Sequence, residues 1–419
     1  MRVLFTGWAW PSHVYPMIPL AWACRAAGHE VRVAAPPGLT NVIAHAGLTP
    51  VPVGHDVDVT GAVRSFVRAL VPENGTGPAA GPAEGRPSAR TPRALGMFVD
   101  LAESMVDDLA AFTRDWRADL VVYDPTAWAG PLAAAAAGVP AVRQLYGIDL
   151  LFPAREAVIR ALEPIRDRLG VEEADPLGAL TVDPCPAGLQ EDFPGARRRM
   201  RYLPYNGAHD AYPARPPERT GRPRICVTWG TTMARLGDEF FLAGHAARAL
   251  AGLDAEVVVA ITPAQRAVLG DLPPNARVAE SVPLHLLLPG CDLVVHHGGA
   301  GSMLTGLVNG LPQLALPRLP DHAGHARRLA ATGAGLVLDP ADGFEPAEIR
   351  RAVEELLASP GHGRSARDLG EAMAAHPAPV ELVADLEDLA RVPPEPVEPP
   401  EPADGHDRQL STLTHHAMG

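Results

Sequence analysis

The chain has 419 residues, 47% of them hydrophobic and 20% charged, which is longer than one ordinary core and predicts two domains. Its formal net charge of −13 argues against a nucleic-acid partner, and no apolar run reaches the roughly 18 residues of a membrane span. All 36 basic residues are arginines, so there is neither a Schiff-base lysine nor a P-loop lysine.

In chain order, a strand over 2–5 ends at Thr6-Gly7, and a helix over 17–27 closes at Gly28, where a left-handed residue fits. A strand at 30–35, a helix at 40–46, a strand at 120–123, a helix at 128–137 closed by Gly138, and a strand at 140–145 follow. The second half repeats the scheme. Strands are expected at 224–228, 256–261, 293–296, 313–316 and 336–339, with helices at 238–251, 302–309, 321–332 and 346–358. Such alternation implies βαβ crossovers and parallel, doubly wound sheets. Residues 1–206 are expected to form one domain and 224–378 another. Between them 207–223 is a Pro-, Gly- and Arg-rich linker, and 379–391 is a C-terminal helix returning to the first domain. Residues 71–93 suggest a mobile loop and 392–419, rich in Pro and acid, a disordered tail. In that tail His406, His415 and His416 have no fold to fix a metal.

Cys24, Cys185, Cys226 and Cys291 show no paired spacing, so neither a disulfide framework nor a thiolate metal site is expected. Met1-Arg2-Val3-Leu4-Phe5 enters a strand directly and lacks the pattern of a signal peptide; a reduced, cytoplasmic setting is the expectation.

The most informative segment is His296-His297-Gly298-Gly299-Ala300-Gly301-Ser302, after the apolar run Leu293-Val294-Val295. A strand, a glycine turn and a helix start present free N–H groups and the positive end of a helix dipole, which suits a diphosphate. Glycines allow close backbone approach, Ser302 can cap the helix, and His297 can donate through a ring nitrogen. Taken alone, the segment is equally a tight βα turn with a capping serine. The dinucleotide fingerprint is absent, because no G-x-G-x-x-G sits in the first βα turn at Gly7.

With Gly310-Leu311-Pro312-Gln313-Leu314, Leu316-Pro317, Asp321 and the stretch from Leu329 to Gly335, this segment resembles the donor-binding signature of family 1 glycosyltransferases with the GT-B fold. It is most similar to the bacterial branch that decorates polyketides with deoxysugars. Thr228-Trp229-Gly230-Thr231-Thr232 resembles the family's turn near the α-phosphate. Ser281-Val282-Pro283 resembles the segment whose backbone reads the base. Ser12-His13-Val14-Tyr15-Pro16 resembles its G-H-x-x-P loop, with Ser12 in place of Gly. The resemblance implies two Rossmann-like domains facing across a cleft, an inverting and metal-independent transfer, and no cofactor. The co-substrate is a TDP- or UDP-sugar, TDP being preferred, and the acceptor a hydroxyl of a hydrophobic aglycone; a homodimer is one possible assembly.

On that reading His13 is the base. Asp124, at the end of another strand, orients it and stabilises the imidazolium. Without the family context, a loop histidine such as His13 is more often a solvated or capping residue, and Asp124 can simply cap the turn before Pro125. Gly230, Thr231, Thr232, Val282, His297, Gly298, Gly299, Ala300, Gly301, Ser302, Asp321 and His322 are the donor-side candidates. His322 stands where the family has Gln, and His325 where Asn is common. Asp321, His322 and His325 also have a spacing compatible with a metal, which ranks below sugar contact or capping. Asp56-Val57-Asp58 matches the D-x-D of another glycosyltransferase architecture but reads better as a solvated turn. Trp8, Trp10, Met97, Phe98 and Tyr146 are candidates to line an aglycone pocket, with core packing the alternative. Other readings of the same fold are a C-glycosyltransferase, a nucleotide-sugar epimerase and a non-catalytic auxiliary partner.

Overall fold

A computed structural model describes residues 1–68, 91–171, 174–207, 221–231, 233–339 and 343–391. Most of the 71–93 loop, most of the linker, the tail with its three histidines, and Thr232 lie outside the described residues.

Thirteen described strands form two sheets. The first contains β1 (Arg2–Thr6), β2 (Glu30–Ala35), β3 (Thr49–Pro52), β4 (Leu120–Tyr123), β5 (Ala141–Gln144), β6 (Leu180–Asp183) and β7 (Arg197–Arg199), in the order β3-β2-β1-β4-β5-β6-β7. The second contains β8 (Arg224–Thr228), β9 (Glu256–Ile261), β10 (Ala276–Glu280), β11 (Leu293–His296), β12 (Gln313–Ala315) and β13 (Gly335–Val337), in the order β10-β9-β8-β11-β12-β13. Every pairing is parallel. The central strands β4, β8, β9 and β11 are buried at every position, which is why they read as continuous apolar runs.

Three strands that the sequence pattern does not announce, β3, β7 and β10, are sheet edges. β3 carries Pro50 and Pro52, tolerated where an N–H faces outward, and β7 is Arg-Arg-Arg, a charge pattern that guards an edge. β6 is an inner strand and also escaped the pattern. The helix expected over 238–251 is divided into a 3₁₀ turn, Asp238–Phe240, and a helix, Ala243–Ala249. Phe240 and Phe241 are both buried, and the chain extends at Phe241 to turn both rings inward. Thr91–Glu103 is a helix, so the end of the presumed loop is ordered.

The C-terminal helix Leu382–Arg391 buries Leu382, Val383 and Leu386 against Val3, Phe5, Leu20 and Val31 of the first lobe. An ion pair of Arg198 with Asp385 at 3.3 Å and a contact of His29 Nε2 with Glu387 at 3.0 Å fasten it there. The lobes also meet where the segment after β5 packs on helix Pro320–Ala331. A methyl group on Gly147 would lie 2.7 Å from the Ala300 methyl, and one on Gly324 would lie 2.8 Å from Leu150. At Gly147 only glycine permits this approach, whereas beside Gly324 the Leu150 side chain can swing aside. All four cysteines are buried, and none is joined in a disulfide. Among the described residues no helix is long and apolar enough to cross a membrane.

Candidate active site

In each sheet the winding direction reverses between two central strands, β1 and β4 in the first and β8 and β11 in the second. The crevice beyond the carboxyl ends at such a reversal is where doubly wound sheets bind ligands. His13 and Asp124 lie at the first of these reversals and the glycine turn after β11 at the second.

In the first lobe Thr6 pairs with Tyr123, so the chain leaves β1 and β4 side by side. His13 lies in the short helix Pro11–Val14, and Asp124 directly follows β4. His13 Nδ1 is 3.0 Å from Asp124 Oδ2, with the carboxylate fully buried and the ring 16% exposed. A carboxylate only accepts, so Nδ1 carries a proton, and in the neutral ring Nε2 holds the lone pair. The other oxygen, Oδ1, accepts the Thr126 backbone N–H at 2.9 Å and the Thr126 hydroxyl. Asp124 therefore both closes the turn around Pro125 and holds the histidine; the two readings of that residue coexist. A signal for Thr126 is present in Asp124-Pro125-Thr126, an Asx-turn pattern with a hydroxyl at its third position.

The aromatic candidates divide. Tyr146 is half-buried, edge-on to His13 at 4.5 Å between centroids, and 6.4 Å from His325 of the other lobe. Burial pushes its phenol well above its ordinary value, with Asp321 and Asp124 adding to the effect, so it is a hydrogen-bond donor at neutral pH. Phe98 and Met97 are half-buried on helix Thr91–Glu103, Phe98 edge-on to Trp8 at 5.7 Å. Trp8 departs from the expectation of a pocket wall: it is 3% exposed, its N–H donates to Thr126 Oγ1 at 2.6 Å, and its ring lies tilted beside His13 at 4.6 Å between centroids. Trp10 is likewise buried, 5.7 Å from Trp8. Both rings are drawn inside because the loop they flank folds back over the core.

In the second lobe helix Ala300–Val308 starts two residues earlier than its sequence suggests, with Gly299 as N-cap. Ser302 is thus inside the first turn and is not the cap. The amides of Gly299, Ala300, Gly301 and Ser302 are the four that a helix leaves without an intrahelical acceptor, and no acidic residue occupies that turn. Gly298 differs from the expectation of a free donor. Its N–H is committed to His296 Nδ1 at 3.0 Å, and its φ of 88° with a methyl position 2.8 Å from the His322 carbonyl is what requires glycine. Gly230 ends the neighbouring β8 turn at φ 60°. His297 packs between the two turns, since a methyl on Gly230 or on Gly299 would strike its ring. Thr231 is exposed beside this turn, and Val282 is half-buried beyond β10.

Asp321 opens helix Pro320–Ala331, followed by His322, whose ring is 4.7 Å from that of His297. His325 is buried with neither ring nitrogen bonded among the described residues. Among those residues no group of three or more His, Cys, Asp or Glu is arranged to hold a metal ion. Asp56 and Asp58 accept the backbone N–H groups of Gly38 and Gly61, both at 2.8 Å, so the D-x-D serves turns.

Burial lowers His296 to about 3 and His325 to about 4, and pushes His297 and His322 down as well. These rings are therefore neutral donors and acceptors. The unfolded chain takes up protons near pH 6.5, where the folded chain does not. The stability this confers is full above about pH 6.5 and is lost as pH falls, at up to about 1.4 kcal/mol per pH unit per ring. Thermal melts should show Tm falling from pH 6.5 toward about pH 4, with a shallower fall in His325→Asn. A flat Tm across that range would contradict the burial argument.

Two parallel-sheet lobes, one presenting a buried-carboxylate histidine and the other a glycine turn on a helix N-terminus, define a GT-B glycosyltransferase. The comparisons agree at the level of sequence. Residues 22–230 match the model described as erythromycin biosynthesis protein CIII-like, N-terminal domain, and residues 246–389 match its C-terminal domain. The 10-deoxymethynolide desosaminyltransferase of Streptomyces venezuelae is 38% identical over 93% of this chain and 97% of its own length. The aclacinomycin-T 2-deoxy-L-fucose transferase of Streptomyces galilaeus is 34% identical over 93% and 96%. The crystal structure of glycosyltransferase VinC with dTDP superposes with a TM-score of 0.75 at 33% identity, covering 93% of this chain and 99% of that one. The chain belongs to the erythromycin biosynthesis protein CIII-like family of glycosyltransferases.

Proposed function

We propose that this enzyme transfers a deoxysugar from a TDP-sugar to a hydroxyl of a polyketide aglycone, with inversion at the anomeric carbon. His13 Nε2 accepts the hydroxyl proton while Asp124 holds Nδ1–H and offsets the imidazolium charge. The acceptor oxygen attacks the anomeric carbon as the diphosphate departs toward the free amides at Gly299, Ala300, Gly301 and Ser302. One displacement from the face opposite the leaving group inverts the centre. Asp321, His322 and His325 face the sugar, Tyr146 stands between sugar and base, Gly230 and Thr231 flank the diphosphate, and Val282 lies toward the base of the nucleotide. Residues 1–206 with the returning helix form the acceptor domain, and 224–378 the donor domain.

The single observation that carries this reading is the buried His13–Asp124 pair, joined through Tyr146 to the donor-side His325. The choice of TDP and of a polyketide acceptor is supported by the dTDP bound to VinC and by the two relatives' named reactions.

The test combines the purified chain with TDP- and UDP-sugars and with macrolactone and anthracyclinone acceptors, read by mass spectrometry, with the product anomer assigned by NMR. An inverted conjugate formed from TDP-sugars is expected. Retention of configuration would remove the single displacement. Donor epimerisation without conjugate would favour the epimerase, and carbon-linked product a C-glycosyltransferase.

A further inference from the structure

We propose that Thr126 and Trp8 are positioning residues that tune the His13–Asp124 pair, rather than a turn residue and a pocket wall. The inference rests on His13 being the base, but its central measurement does not require turnover. The Thr126 hydroxyl has its full set of partners: it donates to Asp124 Oδ1, accepts the Trp8 N–H at 2.6 Å, and lies 3.4 Å from His13 Nδ1. The Thr126 backbone N–H adds a second donor to Oδ1 at 2.9 Å. Trp8, Asp124 and Thr126 are all buried to 3% exposure or less, so water does not compete for these bonds. Trp8 meets the pair in a second way, its indole tilted 48° to the His13 imidazole with centroids 4.6 Å apart.

The arrangement has a definite electrostatic consequence. Two donors on Oδ1 spread the carboxylate charge and weaken its hold on the imidazolium through Oδ2, so the imidazole gives up its proton more readily. The Trp8 N–H polarises the hydroxyl and strengthens that effect. Removing the hydroxyl returns charge to Oδ2 and stabilises the imidazolium. It also removes the acceptor 3.4 Å from Nδ1, which acts in the opposite sense. That contact is long, whereas the bond to the carboxylate is charge-assisted, so the first effect prevails. The other ionisable groups facing His13 are the Tyr146 phenol from the segment after β5 and the Asp321 carboxylate from the second lobe. Neither touches Thr126, and both are unchanged by its substitution.

The experiment follows the His13 ring in the full chain by NMR with isotope-labelled histidine, the resonance being assigned by its loss in His13→Gln. In Thr126→Val the titration midpoint is expected to rise by about 0.5 to 1 unit. Thr126→Ser should restore the wild-type midpoint. Trp8→Phe, which keeps a ring but loses the N–H, should give a smaller rise. A midpoint that stays or falls in a Thr126→Val protein with a wild-type melting profile overturns the proposal, because a merely structural threonine predicts that result. If that variant does not fold, Trp8→Phe decides, and an unmoved midpoint there also overturns it. Transfer that survives His13→Ala would sink the base assignment while leaving this result standing, so the two failures are distinguishable.

Discussion

Replacement of His13 by alanine is expected to lower the transfer rate by about 10²- to 10⁴-fold, the range for removal of a positioned general base. The donor complex should survive, because the glycine turn and helix Ala300–Val308 lie in the other lobe and do not include His13. Calorimetry with TDP should therefore give a wild-type dissociation constant while product formation collapses. Asp124→Asn should cost about as much, for a reason specific to this site. The two Thr126 donors on Oδ1 would hold the amide oxygen in that position. The amide NH₂ would then face His13 Nδ1, forcing Nδ1 to accept and placing the proton on Nε2. The ring would keep its place and lose its basic nitrogen. A His13→Ala enzyme with undiminished turnover of a verified donor and acceptor would refute the assignment.

The second large effect is expected at Gly298. Its φ of 88° is unfavourable for any residue with a β-carbon, and the added methyl would sit 2.8 Å from the His322 backbone carbonyl, which has no flexible end to swing away. Strain of this kind is worth of order 1–3 kcal/mol, and the turn can relieve it only by moving. Movement shifts Gly299 and the free amides that follow. Gly298→Ala should thus weaken TDP binding by about 10- to 100-fold, with the His13–Asp124 pair intact. Gly361 is a suitable control, since it has no positive φ and nothing within 4 Å of a methyl position. Gly298→Ala with TDP affinity equal to that of Gly361→Ala would show that the turn does not hold the diphosphate.

These two sites were legible to different degrees. The donor turn could be read directly because its determinants are local: an apolar strand, glycines and a helix start lie within a few residues. Even so, the local pattern starts the helix two residues too late and so offers Ser302 as a cap where the structure has Gly299. The bond from Gly298 to His296 depends on a ring orientation set by burial. His13 and Asp124 could be named only through resemblance, since 111 residues separate them. The neutrality of the four donor-side histidines was invisible, because desolvation is a property of the packed interior.

The sequence by itself determined the alternation of strand and helix, the parallel sheets and the positions of the glycine turns, because side-chain periodicity and φ preference act over a few residues. It left the edge strands β3, β7 and β10 undeclared, since an edge has no need of a continuous apolar run. The tertiary structure alone decided that Trp8 turns inward to Thr126, that Asp124 meets His13, and that Gly147 lets the lobes close on one another. Each of these is a meeting of groups far apart in the chain, fixed by the register of β1 against β4 and by the docking of one lobe on the other.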